Sequence, residues 1–254
     1  MGHRLRGYLQ HLGFKALATT SGGFAFSRGL PDSGGVSLDL MLSHVAEIVS
    51  SVGIPVNADF QAGFSSTPEG VAANVTRCVA TGVAGLSIED ATGDKGRPLY
   101  DLSEAVERIM AARAAIDAAK ADVLLTARAE CHLVGHSKPL QESITRLQAH
   151  AKAGADVLYA PGLSSAEAIR AVIEAVSPKP VNVLVSSNMG LTVSDIAELG
   201  ARRISVGSAL ARAAWTGFIK AATAIGRDGA FTDLDGMVKY DELGKFFRSF
   251  QREL

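Results

Sequence analysis

Two acidic residues each close a short apolar run. Asp59 ends Pro55-Val-Asn-Ala-Asp59, and Glu89 ends Gly85-Leu-Ser-Ile-Glu89. A carboxylate at the end of a buried strand is costly unless it meets a cation or hydrogen-bond donors. Hard divalent ions such as Mg2+ take oxygen ligands and keep several waters, so a pair of carboxylates is enough to hold one. Either acid alone also reads as a helix N-cap or an ion-pair partner. At equivalent strand ends of a barrel, both would stand on the face where chemistry is done. Asp90 follows at once, points elsewhere and starts the turn.

Arg128 ends Val123-Leu-Leu-Thr-Ala-Arg128, where a guanidinium suits a bidentate grip on a carboxylate or phosphonate. It is equally placed to neutralise Glu89 or Glu130, and both roles are compatible. Cys131, His132 and His136 come next, but side chains of sequence neighbours diverge, so Cys131–His132 is not read as a catalytic dyad. Thr20-Ser21-Gly22-Gly23 leaves its strand with glycines, either as a plain turn or as a cradle of backbone N–H groups for an anion. Asp32 lies in the loop that follows and reads as a turn or cap residue. Ser205-Val-Gly207-Ser208 opens a helix, with Ser208 as its N-cap or the turn as an anion seat. Lys95 and Arg97 read as solvated loop charges.

Repeating strand and helix units must position these residues. Apolar runs recur at Ala16–Thr20, Pro55–Asp59, Gly85–Glu89, Val123–Arg128, Val157–Ala160, Val181–Val185 and Arg203–Val206. Between them lie stretches of helical period such as Ser103–Ala118 and Leu140–Ala153. Gly53, Gly82, Gly154 and Gly200 stand where helices are expected to end. Such alternation implies a parallel sheet. Seven strands suit a doubly wound sheet, or a (β/α)8 TIM-type barrel with its first strand missing from this chain; the barrel is the expected fold. Arg4–Leu12 reads as a helix feeding the Ala16 strand. The segment 232–254 reads as a loop and an amphipathic helix, packed on the body or exchanged with a partner subunit. Residues 1–254 are expected to form one barrel domain with that tail.

A net charge of −1 gives no sign of nucleic acid or an anionic membrane as partner, and 47% hydrophobic residues suffice for a large core. The two cysteines, Cys78 and Cys131, provide neither a disulfide framework nor metal-ligand spacing, which suits a reducing cytoplasmic setting. Met1–Lys15 lacks the apolar run of a signal or transmembrane segment.

Read in order, Ala18-Thr-Thr-Ser-Gly-Gly23, Gly29-Leu-Pro-Asp32, Pro55-Val-Asn-Ala-Asp59 with Gly63-Phe64, Gly85-Leu-Ser-Ile-Glu-Asp90, Thr126-Ala-Arg128, Ala153-Gly-Ala-Asp156 and Arg203-Ile-Ser-Val-Gly207 resemble the isocitrate lyase and phosphoenolpyruvate mutase superfamily. The resemblance runs from Gly13 to about Gly229. It implies a (β/α)8 barrel that binds Mg2+ or Mn2+ and a small 2-oxo or 2-hydroxy acid. It also implies making or breaking a C–C or C–P bond beside a pyruvate enolate. On this resemblance Asp59 is the direct metal ligand and Glu89 acts through bound water. Ser21, Gly22 and Gly23 cradle a carboxylate, Arg128 clamps the substrate, and Asp32 is an acid near the reacting group. A homo-oligomer, dimer or tetramer, built by exchange of a C-terminal helix is implied as well.

Three departures bear on activity. Gln61 stands where the family usually has an acid two places after the metal aspartate, which removes a negative charge beside the ion. The stretch Ala91-Thr-Gly-Asp-Lys-Gly-Arg-Pro-Leu-Tyr100 lacks the lyase cysteine motif, so cleavage with that cysteine as general acid is not expected. The family's first strand lies ahead of Gly13, and an open seam would expose strand edges. Two functions therefore stand open: a metal-dependent lyase or mutase, and a barrel that binds a small carboxylate without turnover.

Overall fold

In a computed structural model of the chain, which describes residues 5–32 and 35–250, strands and helices alternate from the start. The order is α1 (Leu5–His11), β1 (Leu17–Ala18), α2 (Ser21–Ser27), α3 (Leu38–Val49), β2 (Val56–Asp59), α4 (Pro68–Val79), β3 (Gly85–Glu89), α5 (Leu102–Ala118) and β4 (Leu124–Arg128). It continues with α6 (Pro139–Lys152), β5 (Val157–Tyr159), α7 (Ala166–Val176), β6 (Val181–Leu184), α8 (Val193–Glu198), β7 (Arg203–Ser205), α9 (Ala209–Asp228), a short 3-10 turn at Thr232–Leu234 and α10 (Tyr240–Phe250).

Local chemistry sets the helix ends. The Thr67 hydroxyl accepts from the Gly70 amide, and Pro68 opens α4 where its missing N–H costs nothing. Thr192 and Asp195 bond reciprocally to each other's backbone at the start of α8, a capping box. Gly154 and Gly200 follow α6 and α8 in left-handed conformation, with φ of +104° and +102°, as their positions predict. Gly53 departs from that expectation. The C-cap of α3 is Ser50, and the Gly53 amide instead donates to Oε1 of Gln10 in α1 at 3.0 Å.

All pairings between the seven strands are parallel, and the strands lie side by side in chain order from β1 to β7. That order excludes the doubly wound alternative, in which the chain reverses direction at a switch point. Curvature is evident from one side chain. Arg203 on β7 donates to Asn182 Oδ1 on β6 (2.9 Å), Asn57 Oδ1 on β2 (3.1 Å) and Thr126 Oγ1 on β4 (3.3 Å). In a flat sheet β2 and β7 would lie about 24 Å apart at the usual strand spacing, far beyond an arginine's reach. The sheet therefore rolls into a nearly closed barrel of seven strands. Among the described residues β1 pairs only with β2, and β7 only with β6. Ala18, in register with inward-facing Asn57, is consequently exposed.

Side chains alternate across the strands, as the two-residue strand period requires. Ala58, Leu86, Ile88, Leu125, Ala127, Leu158 and Val183 face outward and are buried beneath the helices, against Val45, Val75, Ile109, Leu147 and Ile169 among others. Asn57, Asp59, Ser87, Glu89, Thr126, Arg128, Asn182 and Arg203 take the inward positions. At the C-terminal end, Phe246 of α10 packs edge-on against Tyr8 of α1, with ring centroids 4.8 Å apart. No helix among the described residues is long and apolar enough to cross a membrane.

Candidate active site

Asp59 and Glu89 end adjacent strands, β2 and β3, and Arg128 ends the next, β4. The three meet at the mouth of the barrel. Arg128 Nη1 lies 2.6 Å from Asp59 Oδ1 and 3.2 Å from Glu89 Oε2, while its Nε donates to Glu130 Oε1 at 2.8 Å. The guanidinium also sits over the Tyr159 ring, 5.2 Å from its centroid. The side chains are only 13% (Arg128), 15% (Asp59), 19% (Glu89) and 6% (Glu130) exposed, so water screens these charges weakly.

Three carboxylates thus share one guanidinium. Burial, reinforced by Glu130, Asp59 and Asp90, outweighs Arg128 and pushes the Glu89 carboxyl up to about 8. Glu130 is likewise raised, chiefly by burial. Burial alone would lower Arg128, but Glu89, Glu130 and Asp59 hold it well above the usual arginine range. The mouth therefore carries more acid than its own cation neutralises. A donor set made only of carboxylate oxygens, more of them than Arg128 can pair, fits a hard divalent ion that keeps waters or takes ligand oxygens. It does not fit a cation that needs a closed protein shell, because among the described residues no three acidic, histidine or cysteine side chains are arranged to hold one ion, Glu130 being turned to the Nε side of Arg128.

Thr20-Ser21-Gly22-Gly23 is the start of helix α2 rather than a glycine turn. Thr20 is the N-cap and accepts from the Gly23 amide at 3.4 Å. The Ser21 amide donates to Asp59 Oδ2 at 2.9 Å, and the Thr19 hydroxyl accepts from the Asp59 amide at 2.7 Å. Two of the three predicted cradle amides are thus engaged within the chain, one of them by the predicted metal ligand itself. Space favours glycine here, strictly at Gly23 and only mildly at Gly22, where the exposed Asp32 carboxylate can swing aside. A Cβ on Gly22 would come within 2.9 Å of Asp32 Oδ2, and one on Gly23 within 2.6 Å of the Thr20 methyl. Asp32 is exposed, with its carboxylate laid against Gly22 beside the mouth.

Asp90 does point away from the mouth, but into a buried lock. Its Oδ1 accepts from the Glu130 amide at 2.8 Å, and its Oδ2 meets Arg146 Nη1 at 3.1 Å. Arg146 also donates to the Tyr100 carbonyl (2.9 Å) and pairs with Glu142 (2.8 Å). This lock ties the loops after β3 and β4 together, and sequence reasoning missed it. A signal was present: Arg146 lies on the same helical face as Ser143, Leu147 and His150, all buried. Cys131 is fully buried, which pushes its thiol up to about 11, so it supplies no thiolate. Ser208 takes the N-cap position of α9 without making a side-chain cap bond, and Lys95 and Arg97 are exposed.

Comparison with known proteins places this arrangement in a lineage. A family model described as phosphoenolpyruvate phosphomutase matches residues 7–226. The chain belongs to this family. Within the wider PEP mutase/isocitrate lyase superfamily it is 33% identical over 175 residues to 2-methylisocitrate lyase of Escherichia coli (strain K12), covering 66% of this chain and 57% of that enzyme. The chain thus spans little more than half of that curated relative's length. A solved structure from Burkholderia cenocepacia J2315, assigned as a lyase/mutase, is 44% identical with a TM-score of 0.92, covering 97% of this chain and 88% of that one. Phosphonopyruvate hydrolase, solved in complex with oxalate and Mg2+, is 25% identical with a TM-score of 0.83, covering 99% of this chain and 89% of the other.

Proposed function

We propose that this phosphomutase-family chain is a metal-dependent lyase or mutase that makes or breaks a C–C or C–P bond of a small 2-oxo or 2-hydroxy acid beside a pyruvate enolate. One observation carries the reading: Asp59 and Glu89 converge from neighbouring strand ends on a mouth with more acid than base. Asp59 would bind Mg2+ or Mn2+ directly, and Glu89 would bind it through water. Such an ion stabilises the negative charge of an enolate when bound.

The chain's own groups would do the rest. Arg128, held from behind by Glu130, is oriented to grip a substrate carboxylate or phosphonate once its contact with Asp59 and Glu89 is relaxed. The Ser21 and Gly23 amides would have to exchange their present acceptors, Asp59 and Thr20, for a substrate carboxylate if the 21–23 segment is to cradle it. Asp32, exposed beside Gly22, would exchange a proton with water or substrate. Cys131 takes no part. The test is a screen of the purified chain with Mg2+ or Mn2+ against oxaloacetate, 2-methylisocitrate, 2,3-dimethylmalate and phosphonopyruvate, reading pyruvate release. Metal-dependent pyruvate that is lost in Asp59→Ala is the expected result. No turnover together with no Mn2+ uptake by calorimetry would sink the proposal.

The second reading, a carboxylate binder without turnover, is favoured by Gln61 in place of an acid and by the short 91–100 loop without cysteine. It predicts ligand binding with no product under the same screen. On either reading we propose a homo-oligomer. Helix α9 has no buried residue and presents Trp215, Phe218 and Ile219 to solvent, a face suited to a second copy. Light scattering that gives a monomer mass at micromolar concentration would refute it.

A further inference from the structure

The loop that follows Asp59 is held in a conformation its residues do not favour. Gln61 and Phe64 are both left-handed, with φ of +47° and +54°, on either side of Gly63 at +83°. Non-glycine residues avoid this region, and bulky ones most of all. Gly63 itself is enforced, since a Cβ there would come within 2.9 Å of the Val71 side chain. The strained loop also touches the second predicted metal ligand, because the Gln61 carbonyl accepts from the Glu89 amide at 2.9 Å.

Two side chains pin it. Asn74 of α4 donates to the Gly63 and Phe64 carbonyls at 2.9 and 3.1 Å. From α5, Arg108 donates through Nη2 to the Ala62 carbonyl and, at 2.7 Å, to the Ser65 carbonyl. Arg108 is 1% exposed, and Glu104, one turn earlier in α5, favours its charge but pairs directly with Arg97 at 2.6 Å. Its Nε and Nη1 have no hydrogen-bond partner, and its guanidinium stacks on the Tyr100 ring at 4.1 Å. A buried cation whose direct contacts are backbone carbonyls and a tyrosine, with Glu104 acting on it only through charge, is poorly explained as an ion pair. Its partners are instead the loop after β2 and Tyr100, which closes the loop after β3, the two loops that directly follow Asp59 and Glu89.

We propose that Arg108 is a positioning residue: it clamps the 60–65 loop in its strained form, so that Gln61 keeps hold of Glu89 and both carboxylates stay poised at the mouth. This rests on the metal reading given above. The test measures the Mn2+ dissociation constant by electron paramagnetic resonance, and the thermal midpoint by calorimetry, in wild type, Asp59→Ala, Arg108→Met and Arg108→Lys. Each Arg108 change is also made in a Gln61→Gly background. Arg108→Met is expected to weaken Mn2+ by about tenfold, the scale of a lost outer-shell partner, with Arg108→Lys falling between it and wild type. A glycine in place of Gln61 adopts the left-handed conformation without strain, so in that background the same substitutions should scarcely change Mn2+ affinity.

A merely structural role would shift the midpoint and leave Mn2+ affinity alone, which would overturn the proposal. A loss undiminished by Gln61→Gly would overturn it too. If wild type binds Mn2+ no better than Asp59→Ala, the metal reading fails and this inference falls with it. Where Arg108→Met does not fold, Arg108→Lys decides on the same readouts.

Discussion

The two sides of the β-sheet are built from opposite materials. The outer side, under the helices, is dry and aliphatic: Leu86, Leu125, Leu158, Ile109, Leu147 and Ile169 are all at or near zero exposure. The inner side holds Asn57, Ser87, Thr126, Asn182 and Arg203, with Asp59, Glu89 and Arg128 above them at the mouth. The outer side gains free energy by removing apolar area from water. The inner side is a polar network that is favourable only while every member keeps its partner. The fold therefore draws its stability from one face and gathers its charged and polar groups on the other.

The largest test of that division is Arg128→Ala. It would leave Asp59, Glu89 and Glu130 facing one another without their shared cation, and about 3–5 kcal/mol of stability should be lost near neutral pH. Denaturant unfolding at pH 7 and at pH 5 checks it, because protonating the freed carboxylates at lower pH should recover part of the loss. A variant as stable as wild type at pH 7 would break the picture of a charge-balanced mouth. On the outer side, Leu147→Ala should cost about 2–5 kcal/mol through lost transfer energy and a residual cavity. It should leave Mn2+ affinity unchanged, and a large affinity loss would blur the division between the faces.

A third test concerns His150, a polar group on the dry side. It is 1% exposed, neither ring nitrogen has a partner, and burial followed by Arg146 pushes its pKa from 6.5 down to about 4. In the folded state the ring stays neutral where the unfolded chain takes up a proton. Stability is therefore full above pH 6.5 and is lost as pH falls from there towards 4. His150→Leu should remove that dependence and raise stability at pH 5 by about 2 kcal/mol relative to wild type. Parallel pH profiles of the thermal midpoint in the two proteins would contradict it.

Much of the frame was legible in the sequence because it rests on local signals. The seven apolar runs coincide with the seven strands to within a residue or two at each end, and Gly154 and Gly200 mark helix ends. Asp59, Glu89 and Arg128 were legible for the same reason, each being the last residue of its strand. What escaped was set by distant partners. Arg108 and Arg146 stand in helices of mixed polarity, where an arginine ordinarily reads as solvated, and only the loops that pack above them show otherwise. The left-handed Gln61 gave no local sign, because glycine is the usual sign of that conformation. The glycines after Thr20 read either as a turn or as an anion cradle, whereas they open helix α2, with Gly23 leaving room for the Thr20 methyl.

Strand order that equals chain order has a kinetic corollary. Each strand pairs with the one made just before it, so the sheet can grow unit by unit as the polypeptide is synthesised, with little long-range search. The contact of Arg128 with Asp59 is available as soon as β4 has emerged. The bond from Arg203 to Asn57 spans 146 residues and waits for β7. A nascent chain stopped short of β7 would already possess its carboxylate mouth, while Asn57, Thr126 and Asn182 lacked their common donor. Arg203 is thus the latch that records arrival of the last strand and the curling of the sheet towards β2.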